Sequence, residues 1–303
     1  MRVRVTVPAS STNLGPGFDV LGVALSLHNV AELAESDRVL VEIEGEGAAS
    51  LPRDDRNVVV RGTRLVYEAA GRPFRGLALR QRNRIPPGRG LGSSGSAWLA
   101  GILGANALLG DPLDRDAVMD LAVRQEGHPD NLGASLHGGV TATCWDAELR
   151  AVVALPVPDA VEFAVLIPEF EASTEAARAA LPASYPRPDA VFNVGRVALL
   201  VAAWTQGRWD LVGQAMGDRM HQPYRARTMF PWLDDVLAAA RRAGALGAAL
   251  SGAGPSVLGV APSGRGAVVA GALAEALAAA GHAGRGHVLR ADDRGARVEW
   301  LSE

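Results

Sequence analysis

The residues with the clearest chemical potential lie in one stretch, Pro86-Pro87-Gly88-Arg89-Gly90-Leu91-Gly92-Ser93-Ser94-Gly95-Ser96-Ala97. Glycines at 88, 90 and 92 let the main chain turn tightly and approach a ligand. Ser93 and Ser94 fall where a helix N-cap and its first free amides are expected. A helix start of this kind attracts phosphate, and its hydroxyls can also reach a metal ion. The same composition describes a plain flexible connection, although the two prolines stiffen the entry. A Walker-type loop needs a lysine after its last glycine, whereas Ser93 stands there and the chain has no lysine at all. Dinucleotide spacing occurs at Gly90, Gly92 and Gly95, but no acidic residue ends a second strand at the required distance. These residues therefore point to a nucleoside triphosphate.

A second cluster, Glu126-Gly127-His128-Pro129-Asp130-Asn131, packs four polar or ionisable side chains into a short turn, as a solvated loop also would. No second histidine follows at i+4, which argues against zinc. A single carboxylate with a serine hydroxyl suits magnesium shared with nucleotide phosphates. A further glycine-serine loop, Ser251-Gly252-Ala253-Gly254-Pro255-Ser256, reads as a tight hairpin between apolar strands, and two such loops favour a shared ligand. All 30 basic residues are arginine. Arginine holds carboxylate or phosphate but does not abstract protons, so lysine chemistry is excluded. Arg225, after His221-Gln222-Pro223-Tyr224, is either an anion contact or a surface charge.

The elements that must position these groups follow from periodicity. Val3, Val5 and Val7 alternate with Arg2, Arg4 and Thr6 as a half-buried strand. Residues 8–19, rich in small polar residues, glycine and proline, read as a structured loop. Strands are expected at 20–25, 39–43, 77–81, 140–144 and 161–167, and short ones at 287–289 and 298–301. Helices are expected at 57–70, after the glycine loop, from an Asp114 cap toward Glu126, from Ser173, and at 189–204, 210–220, 232–243 and 266–280. The polar, proline-bearing stretch 146–160 suggests a boundary between units 1–155 and 156–303.

Composition narrows the classes. A net charge of −3 over 303 residues gives no electrostatic case for nucleic acid or an anionic membrane. No apolar run is long enough to span a bilayer, and the N-terminus lacks a signal-peptide core. The single cysteine, Cys144, cannot form an internal disulfide; it is expected to be a buried packing residue in a reducing cytoplasm.

Three separated motifs, Pro8-x-x-x-x-Asn13, Pro86-x-x-x-Gly90-Leu91-Gly92-Ser93-Ser94 and Leu250-Ser251-Gly252-Ala253-Gly254-Pro255, resemble the GHMP kinase superfamily, which phosphorylates small metabolites with ATP. Residues 8–19, 126–131 and 221–225 are similar to its homoserine kinase branch. The resemblance implies an α+β, two-domain GHMP kinase fold, with an N-terminal unit like ribosomal protein S5 domain 2 and a ferredoxin-like C-terminal unit, and a homodimer. It implies ATP binding over Pro86 to Ser96, with phosphates on Gly88 to Ser94 and Asn57 at the adenine. Ser94 and Glu126 would hold magnesium. For L-homoserine, Arg178 and Arg225 would take the carboxylate and Asp19 the ammonium, while Asn13, His128, Asp130, Asn131 and Thr174 complete the pocket. Asn131 stands where other members use an aspartate, which implies catalysis by positioning and charge neutralisation through Asn131, Glu126 and Ser94, without a dedicated base. Gly95 departs from the family's common alanine. A kinase for another alcohol, such as mevalonate or a sugar, would lack the paired arginines, and a non-catalytic relative would have lost Ser94 or Glu126.

Overall fold

The first valines organise the larger of two sheets. In the computed structural model, which describes residues 1–302, Val3, Val5 and Val7 are fully buried on β1 (Arg2–Asn13). The segment 8–19 is not the loop its composition suggests. β1 continues through Ser10, Ser11 and Thr12, turns at residues 14–16 and returns as β2 (Gly17–Glu35), with register shifts at Pro8/Ala9 and Thr12/Asn13. The reason is polar satisfaction inside the protein: the Ser10 and Ser11 hydroxyls are buried against partners on distant segments, so hydroxyls that read as solvent-facing pair inward.

β3 (Leu40–Gly45), α1 (Val58–Ala69), β4 (Leu77–Asn83), α2 (Ser93–Leu108), α3 (Arg115–Glu126), α4 (Asp130–His137), β5 (Val140–Trp145) and β6 (Arg150–Leu155) complete the first half of the chain. Asn57 and Asp114 cap α1 and α3 through their side chains. α1 and α2 close over the sheet, placing Val59, Val66, Leu99 and Ile102 on the core valines and Leu33. β6 was not expected. It pairs with β5 along the edge, and its side chains stay half-buried or exposed, so the 146–160 stretch lacks a core-facing pattern. Cys144 on β5 is exposed, not buried.

The second half contains β7 (Val161–Pro168), α5 (Thr174–Ala179), α6 (Arg187–Thr205), α7 (Trp209–Ala215), α8 (Gln222–Thr228), α9 (Leu233–Arg242), β8 (Gly247–Leu250), β9 (Val257–Pro262), α10 (Gly266–Ala279), β10 (Gly284–Leu289) and β11 (Arg297–Leu301). Its antiparallel sheet runs β10-β7-β9-β8. Phe163 and Val165 pack on Trp204 and Val212 on one face, while Ala164 and Leu166 meet α9 and α10 on the other. The helix expected over 210–220 ends at Ala215. Beyond it the Asp218 carboxylate accepts the amides of Met220, His221 and Gln222, a local turn that competes with helix and launches α8.

β1 to β6 build one sheet and β7 to β10 the other, and at the end of the chain β11 returns to the first sheet to pair antiparallel with β1. Asp292 anchors this return. Its amide donates to the Ala24 carbonyl, its carbonyl accepts from Gly139, and its carboxylate accepts from the Arg294 and Gly295 amides and from His28 Nε2 at 2.6 Å. Burial alone would raise its pKa. The His28 contact, the two amides and the Arg297 charge outweigh that and hold it well below the usual carboxylate range.

Asp292→Asn is expected to cost about 1–3 kcal/mol of stability near pH 7 through the weakened charge-assisted contacts. A depressed folded-state pKa means the carboxylate's contribution is present above the ordinary aspartate value of about 3.9 and fades as pH falls toward the folded value. Urea unfolding should therefore show a gap between wild type and variant that narrows below about pH 4; a gap independent of pH would remove the carboxylate's charge from the account.

Candidate active site

Three chain segments interlock at the phosphate-type loop between β4 and α2. Gly92, not a serine, is the N-cap of α2; it adopts φ 71°, and no side chain caps the helix. The first-turn amides of α2 thus have no partner of their own and suit an anion. Gly90, at φ 73°, lies so close to the second glycine loop that a Cβ would collide with the Ser251 carbonyl. The Ser251 hydroxyl is 2.6 Å from the Gly90 carbonyl and 2.7 Å from the Ser11 hydroxyl. From the hairpin, the Ser10 amide donates to the Leu91 carbonyl, and the Gly252 amide donates to the Thr12 carbonyl. Arg89 engages its guanidinium with the main chain: Nε donates to the Pro168 carbonyl and Nη2 to that of Glu169, tying the loop to the end of β7.

At the loop's exit, the Ser94 hydroxyl donates to Glu126 Oε2 at 2.8 Å. Burial pushes the Glu126 carboxyl up in pKa, beyond what the Ser94 hydroxyl and the His128 charge pull back. Burial disfavours the His128 imidazolium as well. The 2.8 Å contact of Nδ1 with Asp130, reinforced by Glu126, outweighs it and raises the histidine's pKa. Among the described residues no group of three or more His, Cys, Asp or Glu side chains could hold a metal by itself. A hydroxyl and one carboxylate beside a helix N-terminus nevertheless fit magnesium, which keeps waters and takes phosphate oxygens. Asn131, in the first turn of α4, accepts from Ser10 through Oδ1, and among the described residues its Nδ2 has no hydrogen-bond partner.

The opposite end of the cleft is cationic. Arg178 on α5 forms a two-bond pair with Asp19, at 2.8 and 3.0 Å. Asp19 sits at φ 57°, and its amide donates to Asn13 Oδ1. Arg225 on α8 is 2% exposed, yet it has no carboxylate partner among the described residues; it donates to the carbonyls of Ala177 and Gly252. Burial and the neighbouring Arg178 push its pKa down to about 10. The Phe18 ring centroid lies 5.6 Å from each guanidinium, within cation–π range of both charges. The glycine loop, Glu126 and the two arginines line one continuous cleft.

The structure brings together Asn13, Asp19, Gly88 to Ser94, Glu126, His128, Asp130, Asn131, Thr174, Arg178 and Arg225 around this one cleft. The other sequence candidates lie outside its lining. Asn57 caps α1 with Oδ1, while its Nδ2 donates to Pro52 and Gln81, so its amide is fully committed. Pro86 and Pro87 shape the loop's entry. Ser96 is buried and hydrogen-bonded to Asn29 and Ser93. Gly95 packs on α4, where a Cβ would stand 3.3 Å from Leu132, so the departure from alanine leaves no large gap. Phe18, Thr12, Ala172 and Ala253 also line the cleft without being singled out in the sequence. Phe18 falls within residues 8–19, but its approach to both arginines is visible only in three dimensions.

Family models match both halves of the chain: the GHMP kinases N terminal domain over residues 57–139 and the GHMP kinases C terminal domain over 198–279. The chain is 41% identical to homoserine kinase of Desulfitobacterium hafniense, over 98% of this chain and 99% of that protein. It is 45% identical to homoserine kinase of Moorella thermoacetica, over 84% and 86% respectively. A crystal structure of homoserine kinase from Cytophaga hutchinsonii superposes with a TM-score of 0.87 at 30% identity, covering 98% of this chain and 97% of the other. With the interlocked glycine loops and the cationic pocket on one cleft, the chain belongs to the homoserine kinase family of the GHMP kinases.

Proposed function

We propose that the protein phosphorylates the side-chain hydroxyl of L-homoserine with ATP, giving O-phospho-L-homoserine for threonine biosynthesis. The observation that carries the choice of acceptor is Arg225: a buried guanidinium without a carboxylate partner is costly unless an anion arrives. The acceptor's carboxylate supplies it. The Arg178–Asp19 pair beside it presents both signs to a zwitterion, Asp19 to the ammonium and Arg178 to the carboxylate. Neither a sugar nor another neutral alcohol would satisfy Arg225.

ATP lies with its phosphates over the amides from Gly88 to Ser94. Ser94 and Glu126 would hold magnesium, which neutralises phosphate charge. The acceptor oxygen attacks the γ-phosphorus, the bond from phosphorus to the bridging oxygen breaks, and ADP leaves. Asn131 offers its unpaired Nδ2 hydrogens to the hydroxyl or the moving phosphoryl group, and Asn13, His128, Asp130 and Thr174 shape the pocket around them. Asn131 cannot accept the hydroxyl proton as a base would, so that proton leaves with a phosphate oxygen, as a loose transition state permits. Among the described residues no helix is long and apolar enough to cross a membrane. We assign the enzyme to the cytoplasm as a homodimer, a state that light scattering measures.

Glu126→Gln should weaken magnesium-dependent turnover far more than it weakens nucleotide binding without metal. Magnesium titrations at fixed ATP read this directly, and identical curves for variant and wild type would take Glu126 out of the metal site. Arg225→Lys keeps a charge but loses the planar fork, at a cost of about 1.5–3 kcal/mol for a charge-assisted bond. Homoserine kcat/KM should fall by about one to two orders of magnitude while the KM for ATP stays unchanged. Loss of ATP affinity with homoserine dependence intact would move Arg225 to the nucleotide side.

A further inference from the structure

His221 has no accessible surface, and it is not among the residues that line the cleft. Its Nε2 faces two acceptors, the Gly15 carbonyl at 2.7 Å and Asp218 Oδ2 at 3.5 Å, so this nitrogen carries the hydrogen. Its Nδ1 faces Arg225 Nη1 at 3.3 Å. A guanidinium has donors only, so Nδ1 must offer its lone pair. Together these contacts select one neutral tautomer. Burial and the Arg225 charge favour the neutral ring against the pull of Asp218.

The five donors of Arg225 can then be counted. Nε–H donates to the Ala177 carbonyl, and the two Nη1 hydrogens go to the Gly252 carbonyl and to His221. Nη2 is left, with no hydrogen-bond partner among the described residues. The support behind His221 is stiff, because Gly15 sits at φ 92° and a Cβ there would collide with the Met216 carbonyl.

We propose that His221 is a positioning residue: suspended from the Gly15 carbonyl, it fixes the Arg225 fork so that Nη2 is the nitrogen offered to the acceptor carboxylate. The turn of the first sheet thereby sets acceptor specificity through a helix of the second half. This rests on the reading of Arg225 as the carboxylate contact.

The test compares His221→Asn, whose amide can replace Nδ1 toward Arg225, with His221→Gln, whose amide reaches the Nε2 position instead. His221→Gln should raise the homoserine KM about tenfold while kcat and the ATP KM stay within about twofold, and His221→Asn should recover to within about threefold of wild type. Equal KM changes in both variants, or a loss confined to kcat, would overturn the proposal. In an Arg225→Ala background the His221→Gln effect on KM should vanish, and a full additional effect there would place the action of His221 elsewhere. Arg225→Ala alone separates the two levels: a wild-type homoserine KM would sink the acceptor reading itself. On the unaltered enzyme, ¹⁵N spectra of labelled histidine should show the His221 ring with Nε2 protonated and Nδ1 bare near pH 7. A protonated Nδ1 on His221 would overturn the proposal even if a variant failed to fold.

Discussion

The close approach of Gly90 to the Ser251 carbonyl is the contact on which the rest of the site depends. It brings the main chain of the glycine loop before α2 against the hairpin between β8 and β9, where one hydrophobic cluster also runs from Leu21 and Val23 of the first sheet to Phe163 and Val165 of the second. Main chain meeting main chain leaves no side-chain freedom in the joint. The loop's amides are consequently held by the body of the protein, and on the proposed reading this would be the preorganisation that electrostatic stabilisation of a charged transition state requires. Ser10 and Ser11 reach the same point from a third direction, and Arg89 fastens the outside.

Charge in the cleft is divided by position. On the proposed reading, the nucleotide side would rely on backbone amides and one serine-carboxylate pair, and the acceptor side on two guanidinium groups that share contact with the Phe18 ring. A chain without lysine has no compact, deprotonatable cation to place near the reacting oxygen. Planar guanidinium groups would bind and orient the acceptor instead on the proposed reading. Asn131 would fit this pattern, since an amide can donate to developing charge without adding a second negative group beside the phosphates.

Much of this arrangement was legible before the fold was known. The glycine-serine stretch, the Asp114 cap and the alternating valines of β1 carry local signals that tertiary structure did not override. The 8–19 hairpin did not, because Ser10, Ser11 and Thr12 look like solvent-facing loop residues until their buried partners are known. The turn at Asp218 was equally hidden: one carboxylate accepting three consecutive amides breaks a helix whose apolar period continues past it. Asn57 shows the opposite limit. The resemblance implied an adenine contact there, and the side chain is already engaged, with Oδ1 capping α1 and Nδ2 donating to Pro52 and Gln81. The burial of Arg225 has no sequence signature, since most arginines are exposed and only the packing of α8 against Ala177 and Gly252 sets this one apart.

The return of the chain to its first sheet has a consequence for synthesis. β1 is made before every other described strand, but its neighbour β11 exists only after residues 297–301 have been added. While the whole second sheet emerges from the ribosome and folds, the nascent protein carries an unpaired edge on β1, with open amides and carbonyls beside its valines. Such an edge is a template for pairing with another chain. The interval between making β1 and making β11 is therefore the period of greatest exposure to misassembly, and interruption of translation in the second half leaves that edge uncovered.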